Sequence, residues 1–542
     1  MRYLQTVFNT RKTPQMAPLV DRPEQIQNSA GGYLWPVDNW MRLERFLILG
    51  SEGGTYYVCE RKLILENAIA VRECLKSDGL RVVSTVEEIS VSGRAPKNDP
   101  ALFVLALAAS PKFADANTNA AALEALPRVA RTGTHLCTFA ALVGNLRGWG
   151  RGLRTAVADW YLSKLATELA YQMLKYQRRS GWSHRDLLRV SHPLATTPAH
   201  NALFQWAVDG EPGHLASPKV LDGELRQVSA FELARKAASE DQVVRLIEDY
   251  RLTHEMIPSQ WKNSPAVWEA LLESTPYKAL VRNLGKLTAI GLLRPQSAAT
   301  ALVVARLIDR KRVANSRIHP IALLAALLIY KQGRGEKGGL RWMPVSNIID
   351  ALDEAFYLAF DNVEPSGKRI YLALDASGSM QNSAVVGMPY LTAAMASAAL
   401  AMLFVRTEPE CVIAAFHDEI SPVDITRKDR IDRACGAIVR QARGTDASLP
   451  MQDALERGLA VDAFVIVTDN ETWAGDQHPV QALDRYRRST GIAAKLVVIA
   501  MAANGYSIAD PNDALQMDVI GFDPSVPEVV VQFVRGLPVT EP

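Results

Sequence analysis

The chain has 542 residues, of which 48 % are apolar and 22 % charged, and its formal net charge is +2 at pH 7. This length exceeds what one hydrophobic core supports, so we expect two or three domains. No apolar run approaches the length of a membrane-spanning helix, and Met1–Arg11 lacks the apolar core of a secretory signal. The composition argues against a membrane-embedded protein and indicates a globular one.

The cysteines indicate the compartment. The chain contains Cys59, Cys74, Cys137, Cys411 and Cys435, which are odd in number, widely scattered and without C-x-x-C spacing. Such cysteines are typical of buried thiols in a reducing environment rather than of a disulfide framework. We therefore expect a cytoplasmic protein.

The small net charge hides an uneven distribution. From Lys368 onward there are 15 basic and 22 acidic residues, a net charge of −7, whereas the preceding part has 45 and 36, a net charge of +9. The basic excess is concentrated between Arg128 and His192, where eleven Lys and Arg stand against three acids. This asymmetry indicates different partners for the two halves of the chain.

Residues 1–35 are polar with scattered Pro and Gly, and we expect an extended N-terminal arm there. Apolar residues then recur at helical spacing in short blocks divided by Pro and Gly. Helix after helix predicts an α-solenoid of stacked helix pairs, with one large globular helical domain as the alternative. The predicted helices cover residues 39–49, 61–77, 98–110, 118–130, 134–147, 155–176, 229–252, 264–291, 295–311, 319–331 and 348–360.

Two short motifs are rejected. A G-x-G-x-x-G match within Gly333–Gly339 follows a helical block rather than a strand and opens no helix, so we expect a loop instead of a nucleotide site. The run beginning at His184 resembles the kinase catalytic loop H-R-D-L, but Ser191 stands where a kinase has Asn. Neither motif predicts catalysis.

After the polar connector Glu364–Lys368, strands alternate with helices, which predicts a doubly wound parallel sheet. The fold class is therefore α plus α/β. The predicted strands cover residues 369–375, 411–417, 463–468, 494–501 and 516–521. The predicted helices cover residues 389–405, 428–442, 449–459, 478–489 and 526–536.

An acid and two hydroxyls follow the first strand of this sheet. Asp375, Ser377 and Ser379 form a D-x-S-x-S pattern that directs three oxygens from one loop, as a hard divalent cation requires. Asp469 ends a second apolar strand, and parallel sheets bind ligands outside the carboxyl ends of their strands. Thr445 lies in a third segment. Helix capping by these side chains is the alternative.

The arrangement resembles the von Willebrand factor type A domain and its metal-ion-dependent adhesion site. In that family two serines and a threonine ligate the ion through hydroxyls, and the aspartates act directly or through water. The matching positions here are Asp375, Ser377, Ser379, Thr445 and Asp469. The resemblance implies that the cofactor is Mg²⁺ or another divalent cation.

Two basic stretches, Gly148–Tyr161 and Lys175–His192, contain tryptophans and tyrosines among their Lys and Arg residues. Cationic side chains neutralise phosphates while aromatic rings stack on bases, so this mixture suits nucleic acid. A solvated helix face over buried tryptophans is the alternative. Gly181 is expected to end a helix here, and Ser183 is expected to cap the next one.

Further segments occur in the order of a known family. They are Arg45–Ala68, Thr275–Ala289, Ser316–Pro320, Val363–Arg369 and Thr468–Pro479. With the two basic stretches, they resemble the Ro ribonucleoprotein autoantigen family, and the general look of the chain suggests a bacterial member. The resemblance implies an N-terminal arm (1–35), a TROVE domain of HEAT-like helical repeats (36–366) that forms a ring, and a von Willebrand factor type A domain (367–542).

The resemblance also implies partners. Family members bind small noncoding Y RNA on an outer basic surface and the ends of misfolded or structured RNA in a central hole, and bacterial relatives cooperate with an exoribonuclease. We expect a monomer. The implied RNA-binding residues are Arg151, Arg154, Lys175, Arg178, Arg179, His184 and Arg185. The stretch between Pro193 and Glu224 departs from the family pattern, which leaves contacts there open.

Three functions are weighed. The leading hypothesis is a non-enzymatic RNA-binding protein that acts in noncoding RNA quality control or decay, since the sequence contains no catalytic acid/base cluster or nucleotide-binding loop. The second is a metal-ion-dependent protein-binding adaptor without RNA binding. A metal-dependent nuclease at Asp375 is disfavoured, because an ion held by hydroxyls lacks the paired carboxylates of a two-metal site.

Overall fold

The chain forms two compact units. The helical unit comprises residues 71–318 and 326–358, and the sheet unit comprises residues 1–70, 319–325 and 359–542. The N-terminal residues therefore belong with the C-terminal sheet. The computed structural model describes residues 12–20, 24–36, 39–49, 68–92, 98–209, 223–335, 339–378, 380, 384–385, 388–438, 444–501, 506–520 and 526–536.

The N-terminal segment, residues 12–36, contains two strands where the sequence suggested an extended arm. Strands β1 (Ile26–Gln27) and β2 (Tyr33–Pro36) pair antiparallel. Leu34 and Trp35 of β2 are both buried, which ties this strand to the interior. The segment is therefore packed against the sheet unit.

Helices dominate the chain between this segment and residue 358, as the sequence predicted. In chain order they are α1 (Asn39–Leu49), α2 (Ile69–Val91), α3 (Asp99–Ala108), α4 (Ala116–Val129), α5 (Gly133–Leu146), α6 (Arg151–Leu162), α7 (Ala166–Lys175), α8 (His184–Ser191), α9 (Pro198–Asp209), α10 (Arg226–Lys236), α11 (Glu240–Tyr250), α12 (Pro265–Ser274), α13 (Tyr277–Ala289), α14 (Ala298–Leu307), α15 (Arg310–Ser316), α16 (Pro320–Lys331) and α17 (Ser346–Leu358).

Within the helical unit, many helices pack against helices close to them in the chain. Helix α3 contacts α4 and α5, α4 contacts α6, and α10, α11 and α12 contact in succession. Side-chain caps begin several of them: Thr132 accepts from His135 N at 3.2 Å, and Ser297 accepts from Thr300 N at 3.2 Å. These caps satisfy amide groups that a first helical turn leaves without partners. The packing is that of stacked helix pairs.

The basic stretches differ from their predicted local structure. The helix predicted at 155–176 is two helices, α6 and α7. Helix α7 ends at Lys175, not at Gly181, and a hairpin of β3 (Arg178–Arg179) and β4 (Trp182–Ser183) follows. Its two-residue turn has φ values of 50° at Ser180 and 83° at Gly181, the left-handed conformations that such a hairpin turn requires. The expected Ser183 cap is confirmed, because its Oγ accepts from Asp186 N at 3.3 Å.

From residue 369 onward, the sheet unit alternates strands and helices as predicted, but a strand occupies the start of the helix predicted at 389–405, and three further short strands were not predicted. Its elements are β5 (Arg369–Asp375), β6 (Ala384–Val385), β7 (Met388–Thr392), α18 (Ala393–Thr407), β8 (Glu410–Phe416), β9 (Ile420–Pro422), α19 (Ile431–Ile438), α20 (Leu449–Glu456), β10 (Ala463–Thr468), α21 (Pro479–Thr490), β11 (Lys495–Ala500), β12 (Tyr506–Ser507), β13 (Gln516–Ile520) and α22 (Val526–Arg535).

The main sheet has the strand order β13-β11-β10-β5-β8-β9, and all pairs are parallel except β8 with β9. Strand β10 is buried throughout, and β5 is buried from Ile370 to Asp375, because helices can cover both faces of such a sheet. Strands β5 and β10 are neighbours, with Leu374 opposite Val467. The residues that follow these two positions therefore lie at the same edge of the sheet.

Strand β12 connects the N-terminal segment to the sheet unit. It pairs antiparallel with β2, with Tyr506 opposite Pro36 and Ser507 opposite Trp35. Leu34 of β2 joins the hydrophobic core beneath the main sheet, together with Tyr371, Phe464 and Tyr486. Backbone pairing and apolar burial thus both hold the segment in place.

Among the described residues, no single helix combines the length and hydropathy needed to cross a membrane; α15 and α16 together meet that test by length and composition, with a bend of 111° between them. Four of the five cysteines lie in described regions, and these four form no disulfide. Cys74 and Cys137 are buried, and Cys411 and Cys435 are half-buried.

Candidate functional site

Asp375 lies buried at the carboxyl end of β5, with 1 % of its surface exposed. Its Oδ2 accepts a hydrogen bond from Thr468 Oγ1 at 2.7 Å, and its Oδ1 accepts from Ser377 N at 2.9 Å. The pKa of Asp375 is raised to about 7. Burial is the largest cause, and the negative charge of Asp469 is the second. Two buried carboxyl groups thus lie within electrostatic range of each other at this edge.

Asp469 follows β10 and is buried like Asp375. Its Oδ1 accepts from Glu471 N at 3.1 Å. Asn470 has φ of 68°, a left-handed conformation that Asn adopts more readily than most residues, and its N donates to Thr468 Oγ1 at 3.1 Å. This turn sets the position of Asp469 beside β5.

Thr445 reaches the same edge from a separate loop. It is buried, and its carbonyl accepts from Trp473 N at 2.9 Å and from Ala474 N at 3.0 Å. The next residue, Asp446, donates its N–H to the His417 carbonyl at 2.7 Å. The loop of Thr445 is therefore attached to the loop that follows Asp469.

The structure thus brings three of the five predicted metal residues, Asp375, Ser377 and Asp469, to one edge, and it attaches the loop of a fourth, Thr445, to the loop that follows Asp469. Ser377 is buried there beside Asp375. Ser379, the fifth, lies outside the described residues.

The chemistry of this donor set fits a hard cation. Hydroxyl and carboxyl oxygens are the ligands that Mg²⁺ prefers, and a divalent charge offsets the repulsion between buried Asp375 and Asp469. In the described parts of the chain, no group of three or more His, Cys, Asp or Glu side chains is arranged to hold a metal ion. A metal centre here would therefore depend on the hydroxyls as well as on the aspartates.

Sequence reasoning missed Gln15 at this edge. Its side chain is 1 % exposed and donates from Nε2 to Asp446 Oδ1 at 2.6 Å. The two residues are 431 positions apart in the chain, and a single polar residue in a polar N-terminal stretch gives no local signal of such a contact.

Five of the seven predicted RNA-binding residues are exposed and lie within five positions of one of two contacting tryptophans in the helical unit. Trp149 precedes α6 and Trp182 lies on β4, and their ring centroids are 5.1 Å apart. We define the basic surface as these two tryptophans together with five exposed arginines, Arg151, Arg154, Arg178, Arg179 and Arg185. Among the described residues, none of these arginines forms an ion pair with Asp or Glu.

A cleft of about 530 Å³ opens beside Trp149. Arg151 and Arg154, one helical turn apart on α6, line it together with His192 and Leu194. Cationic, aromatic and apolar groups thus border a single open cleft.

Lys175, another predicted RNA contact, is engaged within the protein. Its Nζ donates to Tyr171 Oη at 3.1 Å and lies 3.5 Å from Glu255 Oε1. Burial lowers the pKa of Lys175, whereas the hydrogen bond to Tyr171 and the charge of Glu255 raise it. The net result is a raised pKa. Lys175 is therefore less available to a phosphate than the arginines of the basic surface.

His184 lies inside the helical unit rather than on the basic surface. It is 4 % exposed, and Tyr161 Oη lies 2.8 Å from its Nδ1. Burial lowers the pKa of His184 to about 4. In this position the ring supports the start of α8 from below, and it presents no exposed edge to RNA.

Two further cations of the basic stretch, Arg131 and Lys164, were not among the predicted RNA-binding residues. Arg131 and Lys164 line a second cleft of about 500 Å³ with Tyr171 and Gln172. Burial lowers the pKa of both side chains, to about 8 for Lys164. Both lie in the basic stretch between Arg128 and His192, which was the available sequence signal, but neither falls in the two segments that combine basic and aromatic residues.

The comparisons with known proteins cover both units. The TROVE domain family model matches residues 26–214 and 247–368, and the Ro60 vWA domain model matches residues 369–534. The chain is 40 % identical over 540 residues to the RNA-binding protein RO60 of Deinococcus radiodurans, covering 99 % of this chain and all of that protein. The chain belongs to the Ro60 family.

A second member of the Ro60 family, the RNA-binding protein RO60 of Caenorhabditis elegans, is 35 % identical over 584 residues, covering 94 % of this chain and 90 % of that protein. The crystal structure of the Deinococcus radiodurans Ro (RSR) protein matches with a TM-score of 0.74 at 41 % identity, covering 92 % of this chain and all of that chain. The predicted family and fold class are therefore confirmed. The candidate metal residues lie in the stretch matched by the Ro60 vWA model, and the basic surface lies in the stretch matched by TROVE.

Proposed function

We propose that this chain binds RNA through the basic surface of the helical unit. The observation that carries this proposal is the set of exposed arginines near Trp149 and Trp182, none of which pairs with an acid in the described part of the chain. Guanidinium groups neutralise phosphates and stack on bases, and indole rings offer further stacking. Two relatives that carry the name RNA-binding protein RO60 support the same function.

The finer proposal follows the Ro family. The RNA on the basic surface is a small noncoding Y RNA, and the ends of misfolded or structured RNA enter the central hole of a ring made by the helical repeats. The chain supplies binding in noncoding RNA quality control or decay in the cytoplasm. Cleavage of the RNA comes from a partner exoribonuclease and not from this chain, which acts as a monomer.

The candidate metal centre has a separate role in this proposal. Ser377, Ser379 and Thr445 would hold Mg²⁺ through their hydroxyls, with Asp375 and Asp469 beside it. The ion, when bound, supplies an open coordination position that attracts an outside carboxylate. Because the chain from Lys368 onward has a net charge of −7, this edge suits a protein carboxylate held by the ion better than it suits a phosphate backbone.

RNA binding is tested by removing two charges from the basic surface. In Arg151→Gln/Arg154→Gln, we expect weaker binding and a salt slope smaller by about 1.4 to 1.8, since each phosphate contact contributes roughly 0.7 to 0.9. Filter binding across a salt series measures both quantities. The matched control is Arg245→Gln/Arg282→Gln, which removes two exposed arginines of the helical unit outside the basic stretch. Equal affinities for the two double variants would move the RNA site elsewhere.

Chelation separates RNA binding from the metal centre. If RNA binds the helical unit alone, EDTA leaves its affinity unchanged while abolishing any thermal stabilisation by Mg²⁺. The alternative function, a metal-dependent protein adaptor without RNA binding, predicts instead that neither wild-type protein nor the control variant binds RNA at low salt.

A further inference from the structure

Gln15 uses both ends of its side-chain amide at the edge that carries the candidate metal centre. Its Nε2 donates to Asp446 Oδ1 at 2.6 Å and to the Gln477 carbonyl at 3.0 Å. Its Oε1 accepts from Thr472 Oγ1 at 2.5 Å. Because the side chain is almost fully buried, these bonds replace the water that it loses on folding.

These partners lie in the two loops that present Thr445 and Asp469. Asp446 is adjacent to Thr445, and Thr472 lies three residues after Asp469. The loops also bond to each other, because Ala447 N donates to Thr472 Oγ1 at 2.9 Å. Gln15 is therefore a further attachment that spans both loops from outside the sheet.

The fit between the segment and these loops is close. A Cβ added at Gly475 would collide with Asp446 Oδ1 and Gln15 Nε2, and one added at Gly32 would collide with the Thr472 carbonyl. The backbone of Gln15 adds a further bond, from its N to the Gly475 carbonyl at 2.9 Å. Glycine at positions 32 and 475 thus permits an approach that any other residue would block.

Asn28 holds the same loop from the N-terminal hairpin. Its Nδ2 donates to the Thr472 carbonyl at 2.9 Å and to the Asn470 carbonyl at 3.3 Å. Asn470 is the left-handed residue directly after Asp469, so this bond fixes the backbone on which Asp469 depends. The N-terminal segment therefore constrains the turn and the two loops together.

We propose that Gln15 is a positioning residue for the metal centre, so that the N-terminal segment forms part of the ion-binding edge. This inference rests on the ion site of the proposed function. Ligands that come from separate loops bind an ion well only when those loops are already held in place. Loss of the Gln15 bonds frees the two loops, and binding must then order them again. Loss of residues that support metal ligands typically lowers metal affinity by about 10- to 100-fold.

The test measures Mg²⁺ affinity by calorimetry on the full chain, well below its unfolding temperature. Gln15→Met keeps the length of the side chain but removes its amide, and we expect about tenfold weaker binding. Thr472→Val removes the same bond from the other side, together with the contacts of this hydroxyl to Ala447 N and the Thr445 carbonyl, so its loss of affinity should be at least as large. Thr472→Ser keeps the hydroxyl and should restore affinity. A merely structural role of Gln15 would lower the unfolding temperature of Gln15→Met and leave its Mg²⁺ affinity unchanged.

The control is Gln25→Ala in the same N-terminal segment. Gln25 is also buried, but its Oε1 accepts from Leu19 N at 2.9 Å, a bond within the segment. This variant should lower the unfolding temperature without changing Mg²⁺ affinity. If wild-type protein binds Mg²⁺ and Gln15→Met and Thr472→Val bind it equally well, the inference is overturned while the ion site stands. If wild-type protein binds no Mg²⁺, the ion site itself is wrong and the inference falls with it.

Discussion

Trp149 and Trp182 contact each other with ring centroids 5.1 Å apart and planes inclined by 47°, although one precedes helix α6 and the other lies on the hairpin after α7. Both rings are half-buried, so each keeps a face or edge toward solvent. The pair therefore joins the arginines of α6 to those of the hairpin in one surface. We expect these two rings to make the aromatic contacts with RNA.

Trp182→Ala should weaken RNA binding by about 1–3 kcal/mol, the range for one stacked base, and leave the salt slope unchanged because no charge is removed. Trp182→Phe, which keeps a ring, should retain most of the affinity. Filter binding at several salt concentrations measures both values. Trp206→Ala is the control, because Trp206 lies outside the basic stretch in the chain and packs against Phe231 in the same unit. Wild-type affinity in Trp182→Ala would show that the ring only packs within the protein.

Glu255→Gln should strengthen RNA binding. The change removes the carboxylate 3.5 Å from Lys175 Nζ and frees that ammonium for a phosphate, which should raise the salt slope by roughly 0.7. Stability should change by no more than about 1 kcal/mol, since such partly exposed pairs contribute little. Glu273→Gln, at an exposed glutamate of α12, serves as the control.

Lys175→Gln should weaken RNA binding less than Arg178→Gln, because Lys175 is already engaged by Tyr171 and Glu255. The reverse order would show that Lys175 is available to a phosphate.

The burial of His184 predicts a loss of stability in acid. An unfolded histidine gains its proton near pH 6.5, whereas burial lowers the pKa of folded His184 to about 4. Between these values the unfolded state binds more protons, so the free energy of unfolding decreases as pH falls, by up to about 3 kcal/mol from this group. Burial also lowers the pKa values of His135 and His319 to about 4, so they contribute in the same window.

The contribution of His184 is isolated by comparing wild-type protein with His184→Gln. The unfolding temperature of the variant should decrease less between pH 6.5 and pH 4. His192→Gln, at an exposed position, should follow the wild-type profile. Parallel profiles for wild type and His184→Gln would show that His184 is protonated in the folded protein.

Asp375→Asn should remove ion binding and stabilise the ion-free protein. At pH 8 the change takes a negative charge from beside buried Asp469, and we expect a gain of at least about 1 kcal/mol, or about 2–4 °C in the unfolding temperature. Mg²⁺ should raise the unfolding temperature of wild type but not of the variant. Calorimetry that finds unchanged Mg²⁺ affinity in Asp375→Asn would rule out this site, and circular dichroism checks that the helices remain.

Local sequence was sufficient for the central strands β5 and β10 of the main sheet. The apolar runs Ile370–Leu374 and Ala463–Val467 predict strands buried on both faces, and the structure has β5 and β10 at those residues. Parallel neighbours must present their carboxyl ends at one edge, so the meeting of Asp375 and Asp469 follows from the pattern alone. The Ser183 cap was predictable for a similar reason, since it depends on residues within one turn.

Other features depended on contacts that no local pattern encodes. The helix expected to reach Gly181 stops at Lys175, because the left-handed residues Ser180 and Gly181 close a hairpin whose second strand carries Trp182 onto Trp149. The charges around His184 in the sequence are the same whether its ring faces RNA or Tyr161. Only the packing of the folded chain places the ring in the interior, beside Tyr161.

The N-terminal segment is the clearest case. Its polar composition predicted an extended arm, because period and propensity report only on neighbours within a few residues. Gln15 acquires its role from Asp446, 431 positions away, and β2 acquires its partner from β12. Such contacts arise only when the chain has already folded and brought distant polar groups into a buried space where each must find a hydrogen-bond partner.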